Sequence, residues 1–303
     1  MAVPEKGANN LTDNGWRTVL IESKSELSVS DECLVIKSEG QTKKIAINQI
    51  GSVVLCNPGT VLTTASLTAL ASKNVSVIIC DNKHNPFCEI SCYNSNCFSS
   101  KKLSEQIKWS EESKALIWQK IVTRKIGAQA ELVKSVSNTA YKKIKEFENS
   151  VLPGDITNRE AQASRVYFNA LFGADFRRRT ESSINSALNY GYAILLSSFN
   201  RFVTVYGYNT SLGIKHSNGQ NPYNLSCDLM EPFRPVIDRF VYQNRERELD
   251  IFYKREIVAL MYKKIELDGK FMTVNSAVEQ FSKETLNSLS AKFETAEDIG
   301  IGA

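Results

Sequence analysis

Trp118-Gln119-Lys120-Ile121-Val122-Thr123-Arg124-Lys125-Ile126-Gly127-Ala128-Gln129-Ala130-Glu131-Leu132-Val133 is the stretch where the chain changes character. Trp118, Ile121, Val122, Ile126, Ala130 and Val133 recur three or four apart, the period of one helix face. Ser110 followed by Glu111 and Glu112 is a start signal for that helix. From there to about Leu289 the sequence reads as helices joined by short loops. Its most apolar run, Ala187 to Tyr208, contains Asn189, Ser197, Ser198, Asn200 and Arg201, so it predicts a buried helix and not a membrane span.

Upstream of Ser110 the pattern differs. Trp16 to Ile21, Cys33 to Ile36, Lys44 to Ile47, Ser52 to Leu55 and Val75 to Cys80 are short runs rich in Val, Ile and Thr, which predict strands. Ser38-Glu39-Gly40-Gln41 and Asn57-Pro58-Gly59-Thr60 are turn signals between them, and Thr63 to Ser72 has helical spacing. Asn82 to Ser104 is polar, irregular and Cys-rich. The expected organisation is therefore α+β: a flexible leader over 1–14, a β domain over 15–82, a linker over 83–104, a larger all-α domain over 105–293 and a flexible tail over 294–303. No Gly-rich phosphate loop accompanies the strands, which removes the key element of a nucleotide fold.

The chain has 303 residues, 37 basic and 33 acidic, for a net charge of +4. That excess permits nucleic-acid binding without arguing for it. The N-terminus lacks the apolar core of an export signal, so the cytoplasm is the expected location and no membrane contact is expected. Seven cysteines, an odd number, point to reduced thiols. Four of them lie from Cys80 to Cys97 around His84, but no CxxC pair occurs, so a zinc site there is left open and not favoured.

Three segments of the helical half carry candidate chemistry. Glu160 follows Thr157 at capping-box spacing, whose ordinary role is to bond back to the helix start. His216, one of two histidines, sits in Gly213-Ile214-Lys215-His216-Ser217-Asn218 and by itself is an incidental polar residue. Asp228 and Glu231 are three apart and share a face if helical, where they would also suit a helix N-terminus. Together, these carboxylates and one imidazole form an oxygen-rich mixed set that suits Mg²⁺ or Mn²⁺ better than zinc or copper. Such a set serves phosphodiester chemistry.

These segments also carry a resemblance. Asn158-Arg159-Glu160 with Ala163, Arg165, Tyr167 and Phe168, then Leu188-Asn189-Tyr190-Gly191-Tyr192-Ala193-Ile194-Leu195, then Gly213-Ile214-Lys215-His216, then Asp228-Leu229-Met230-Glu231-Pro232-Phe233-Arg234-Pro235, stand in the order and spacing of the CRISPR-associated spacer-acquisition integrase family, the near-universal first-numbered Cas protein. Gly15-Trp16-Arg17-Thr18 and Trp109-Ser110-Glu111-Glu112 look most like its type II branch. The resemblance runs from about Gly15 to the last helices and leaves the leader unmatched. It departs at Ala161, where much of the family has Gly.

The resemblance implies an N-terminal β-sandwich that dimerises and an α-helical catalytic domain. It implies a metal site of Glu160, His216 and Glu231, with Asp228 as an auxiliary acid and Mg²⁺ or Mn²⁺ as cofactor. The implied reaction inserts a short DNA fragment at a CRISPR repeat. The implied partners are that DNA, a second copy of the chain, a small ferredoxin-like protein and, in type II systems, the effector nuclease and an accessory protein. Arg165, Arg177, Arg178, Arg179 and Arg234 are candidates for holding phosphate backbone. Replacing Glu160, His216 or Glu231 is expected to spare the fold, and replacing Asp228 to be milder. A structure-selective endonuclease on the same residues and a non-catalytic DNA scaffold are the rival readings.

Overall fold

The computed structural model describes residues 17–82, 85–90 and 99–297. The leader expected over 1–14 lies outside them, as do His84, Cys92 and Cys97 of the Cys-rich stretch. The described residues form two compact units, those up to 90 with 261–277 and 99–260 with those from 278 onward.

The first unit is built from β1 (Arg17–Ile21), β2 (Glu26–Ser30), β3 (Cys33–Ser38), β4 (Gln41–Ala46), β5 (Ile50–Leu55), β6 (Val61–Leu62), α1 (Thr64–Ser72), β7 (Ser76–Cys80) and β8 (Pro86–Ile90). One sheet has the order β1-β5-β7-β8, the other β4-β3-β2-β6. β1, β5 and β7 pair in parallel and β8 closes the edge antiparallel. Leu27, Leu34 and Ile36 from one sheet and Val19, Val53, Leu55 and Val77 from the other bury into a single core with Leu70 of α1. Each such side chain contributes roughly 1.5–3 kcal/mol by leaving water. The strand-rich N-terminal part and helical C-terminal part are thus as expected.

Three differences have physical reasons. β2, Glu-Leu-Ser-Val-Ser, has only Leu27 fully buried, so its apolar signal is faint. Within the expected linker, Pro86–Ile90 is an edge strand that needs only one half-buried face. The stretch expected to be helical to Leu289 is interrupted by a hairpin of β9 (Lys264–Leu267) and β10 (Lys270–Thr273), turned by Asp268 and Gly269 at φ 49° and 79°. That is the left-handed pair a two-residue hairpin turn requires, and Asp-Gly is its sequence signature. Glu39 and Gly40, at φ 50° and 75°, make the same turn between β3 and β4.

The second unit comprises α2 (Ser99–Ile107), α3 (Glu111–Val133), α4 (Asn138–Asn149), α5 (Arg159–Phe172), α6 (Ser183–Val205), α7 (Asn224–Met230), α8 (Arg234–Gln243) and α9 (Ile251–Ala259), with most of α10 (Val274–Glu297). α2 thus begins inside the expected linker, and α10 extends into the expected tail. α3 starts as the sequence predicts, with the Ser110 side chain accepting from Ser113 N and two glutamates in the first turn. α6 is the buried helix expected from Ala187 onward. Among the described residues no helix is long and apolar enough to cross a membrane. At Gly191 a Cβ would lie 2.4 Å from Ile237 Cγ2, so that glycine lets α6 and α8 approach closely.

Candidate functional site

The centre of the helical unit is organised around a cation that the sequence hid. Lys125 lies on the buried face of α3, one turn from Ile121 and Val122, and its side chain is 8% exposed. Its Nζ is 2.6 Å from Glu160 Oε1 and 2.6 Å from Glu231 Oε2. Two carboxylates from separate segments therefore converge on one ammonium. Burial works against the charge on Lys125, but the Glu231 and Glu160 carboxylates outweigh it and hold its pKa above the ordinary value. A lysine at a core position of an apolar stripe was the available signal for it.

Glu160 reaches this point because Asp155 does the capping. The Asp155 carboxylate accepts from Arg159 N at 2.8 Å and Glu160 N at 3.0 Å. Pro153-Gly154-Asp155 forms a tight turn, and Asn158 enters α5 at φ 54°. The Thr157–Glu160 capping box is thus replaced, and the Glu160 side chain, 24% exposed, is left to face Lys125.

Glu231 opens a short 3-10 turn, Glu231-Pro232-Phe233, between α7 and α8. Its carboxylate also lies 3.0 Å from Arg234 Nε. Burial pushes the Glu231 pKa up, but Lys125 and Arg234 win and hold it below the ordinary carboxylate value.

His216 stands alongside. Its ring packs edge-on to Trp118 with centroids 5.8 Å apart. Its Nδ1 is 2.5 Å from Asp228 Oδ1, which leaves Nε2 for a ligand. The hydrogen bond to Asp228 raises its pKa against burial, and the charges of Glu231 and Glu160 add to the rise. Asp228 is fully buried and also accepts from Ile214 N at 2.6 Å, Lys215 N at 2.9 Å and His216 N at 3.2 Å. It gathers the loop that presents the imidazole. Gly213 permits that loop, since a Cβ there would sit 2.3 Å from His216 O and 2.8 Å from Asp228 Oδ2. A depression of about 740 Å³ opens beside His216, lined by Gln106, Ile107, Leu212 and Asn221 among others.

The structure thus brings Glu160 and Glu231 together on Lys125, sets His216 close enough to feel both charges, and puts Asp228 behind the imidazole. Among the described residues no three His, Cys, Asp or Glu side chains converge closely enough to hold a metal as they stand. The position between the two acids is filled by Lys125. The donor set nevertheless fits a hard divalent ion: two anionic oxygens already share one cation, and an oriented imidazole is beside them.

The basic candidates divide. Arg234, expected as a phosphate-backbone contact, is instead part of the interior: it pairs with Glu231 and lies 4.5 Å over the Tyr192 ring, so it is not available to DNA backbone in this arrangement. Arg178 bonds the Asn185 and Asn189 side chains, and Arg177 bonds the Ala174 and Phe176 carbonyls. Arg165 and Arg179 are exposed.

Behind Arg234, Asp238 accepts from Tyr167 Oη at 2.9 Å and from Tyr192 Oη. Burial pushes the Asp238 pKa up to about 6, against both tyrosine hydroxyls and Arg234. The folded state then holds a proton that the unfolded state, with its carboxyl near 3.8, releases. Stability from this group is complete below about pH 4 and is lost as pH rises through about 6. Relative to Asp238→Asn, the wild type should therefore lose up to about 3 kcal/mol of unfolding free energy between pH 4 and 7. Denaturant titrations of both proteins across that range check this, and parallel profiles would contradict it.

The family model described as CRISPR associated protein Cas1 matches residues 18–265. Over 271 residues the chain is 32% identical to the CRISPR-associated endonuclease Cas1 of Neisseria meningitidis serogroup C (strain 8013), covering 88% of this chain and 89% of that one. The fold is similar to that of a casposase bound to integration product, with a TM-score of 0.73 at 20% identity over 91% of each chain. It is also similar to a Cas6-RT-Cas1–Cas2 complex, with a TM-score of 0.72 at 16% identity over 95% of this chain and 36% of that one. At those identities the two structures speak to the fold alone. With the family model spanning residues 18–265 and a relative 32% identical over 88% of its length, the chain belongs to the CRISPR-associated Cas1 family.

Proposed function

We infer that this chain is a metal-dependent DNA integrase that inserts short DNA fragments at a CRISPR repeat. The observation that carries the reading is the convergence of Glu160 and Glu231 on one cation with His216 beside them. Glu160 and Glu231 would hold Mg²⁺ or Mn²⁺ through oxygen and His216 through Nε2. The ion supplies positive charge to the reacting phosphate and acidifies a bound hydroxyl. Asp228 fixes the imidazole's tautomer and direction. Lys125 and Arg234 keep Glu231 ionised, and Lys125 holds the Glu160 carboxylate in place.

The reaction exchanges one phosphodiester for another. The fragment's terminal hydroxyl oxygen bonds to the target phosphorus, the bond from that phosphorus to the repeat strand's own oxygen breaks, and that oxygen takes up a proton. No serine, cysteine or tyrosine nucleophile is required: Tyr167 and Tyr190 are buried core residues. The protein's task is alignment of hydroxyl and phosphate. The likeness of fold to a casposase bound to integration product supports this reading.

The test uses a pre-processed duplex, a supercoiled repeat plasmid and Mn²⁺. Joining is expected, with loss of product for Ala at Glu160, His216 or Glu231. A fragment ending in a dideoxynucleotide should bind without joining and without a protein–DNA adduct; product from it would eliminate the mechanism. The second reading is a structure-selective endonuclease with water as nucleophile, favoured by the meningococcal relative's name. Efficient cutting of the repeat with no fragment present would select it.

A homodimer formed through the strand-rich unit and bridged by a small ferredoxin-like protein is part of the same proposal, supported by the Cas1–Cas2 assembly of similar fold. The type II effector nuclease, an accessory protein and a cytoplasmic setting complete it.

A further inference from the structure

We propose that Lys125 is the resident counter-ion of the carboxylate pair, and that a divalent cation enters by exchange with its ammonium and not into an open cage. This rests on the metal-site reading above and adds a residue to it. The Lys125 Nζ occupies the point that both Glu160 and Glu231 face, at 2.6 Å from each. Two cations cannot share that point, so loading requires the ammonium to move.

Three features make the exchange feasible. Glu231 keeps Arg234 at 3.0 Å when Lys125 leaves, so no buried carboxylate is stranded. The lysine stem is a flexible four-carbon chain carrying a compact charge, so Nζ can move while α3 stays fixed. An acceptor waits one turn along: Gln129 is 1% exposed, and its Oε1 is buried with no hydrogen-bond partner among the described residues. Residues four apart on a helix are neighbours, and the later side chain leans back over the earlier one. A buried orphan acceptor beside a buried ammonium is the arrangement a two-position lysine needs.

Only the fraction of molecules with the ammonium aside binds the ion, and the apparent affinity falls by that fraction. Removing the ammonium removes that loss. The test is Mn²⁺ binding by calorimetry on the full chain without DNA, together with thermal unfolding in EDTA and in Mn²⁺. Lys125→Met should bind Mn²⁺ about tenfold tighter than wild type. It should melt lower in EDTA and gain more from Mn²⁺. Gln129→Leu, which removes the landing acceptor, should bind Mn²⁺ more weakly, and Lys125→Gln serves if the methionine variant does not fold. Equal or weaker Mn²⁺ binding by the Lys125 variants, with wild type binding normally, overturns the exchange. Absence of Mn²⁺ binding in wild type and in Lys125→Met, with no change in Glu231→Gln, overturns the metal reading itself.

Discussion

Glu231→Ala is expected to lower stability by about 3–5 kcal/mol in addition to stopping strand joining. The Glu231 side chain is 5% exposed and is shared by the Lys125 ammonium and the Arg234 guanidinium. Deleting it leaves both positive groups in the interior with one fewer partner, and breaking such a pair costs far more than the pair contributes on balance. In a unit of this size that corresponds to a fall in melting temperature on the order of 10 °C. Glu160→Ala should behave differently, because its side chain is 24% exposed and its loss leaves Lys125 with Glu231. About 1 kcal/mol is expected there. Two acids with the same assigned part in the chemistry therefore separate in a thermal melt. Equal melting temperatures for the two variants would show that Glu231 is not the anchor of the site. From these exposures, replacement is expected to spare the fold at Glu160 and to weaken it at Glu231.

Asp228→Ala should be the second severe change, not the mild one its auxiliary label suggests. The carboxylate takes hydrogen bonds from three consecutive backbone N–H groups and from the His216 ring. Each buried N–H left unpaired costs about 1–3 kcal/mol, so a total on the order of 3 kcal/mol is expected. The imidazole also loses the partner that orients it, which should lower joining by at least about 10–100-fold in whatever protein remains folded. Asp228→Asn keeps one accepting oxygen and should fall between. An alanine variant that melts like wild type would mean the loop is held by other contacts.

What the sequence made legible was what repeats locally. The stripe through Trp118, Ile121, Val122 and Ile126 and the apolar run of α6 are periodic, and both are helices in the structure. The Ser38–Gln41 turn had glycine where a positive φ is needed. β2 was illegible because a strand with one buried leucine hardly differs from a polar loop. The β9–β10 hairpin has its turn signature in Asp268-Gly269, but its four-residue strands are too short for their apolar residues to separate a strand period from a helical one. At the site, the residue types taken together and the family resemblance pointed to Glu160 and Glu231, while local spacing assigned Glu160 a cap that Asp155 supplies. Lys125 was hidden in plain view, since a charged residue inside an apolar period is easily read as a snorkelling surface lysine. Its meaning depends on two carboxylates 35 and 106 residues further along, a relation no local pattern encodes.

That separation governs when the site comes into being during synthesis. A growing chain that has passed Glu160 but not His216 carries Lys125 and Glu160 with no second acid and no imidazole. The acid pair exists only after residue 231 has emerged and α7 has docked onto the helices made before it. Chains that stop short of residue 231 therefore lack the second acid that Lys125 bridges, and strand joining is not expected of them.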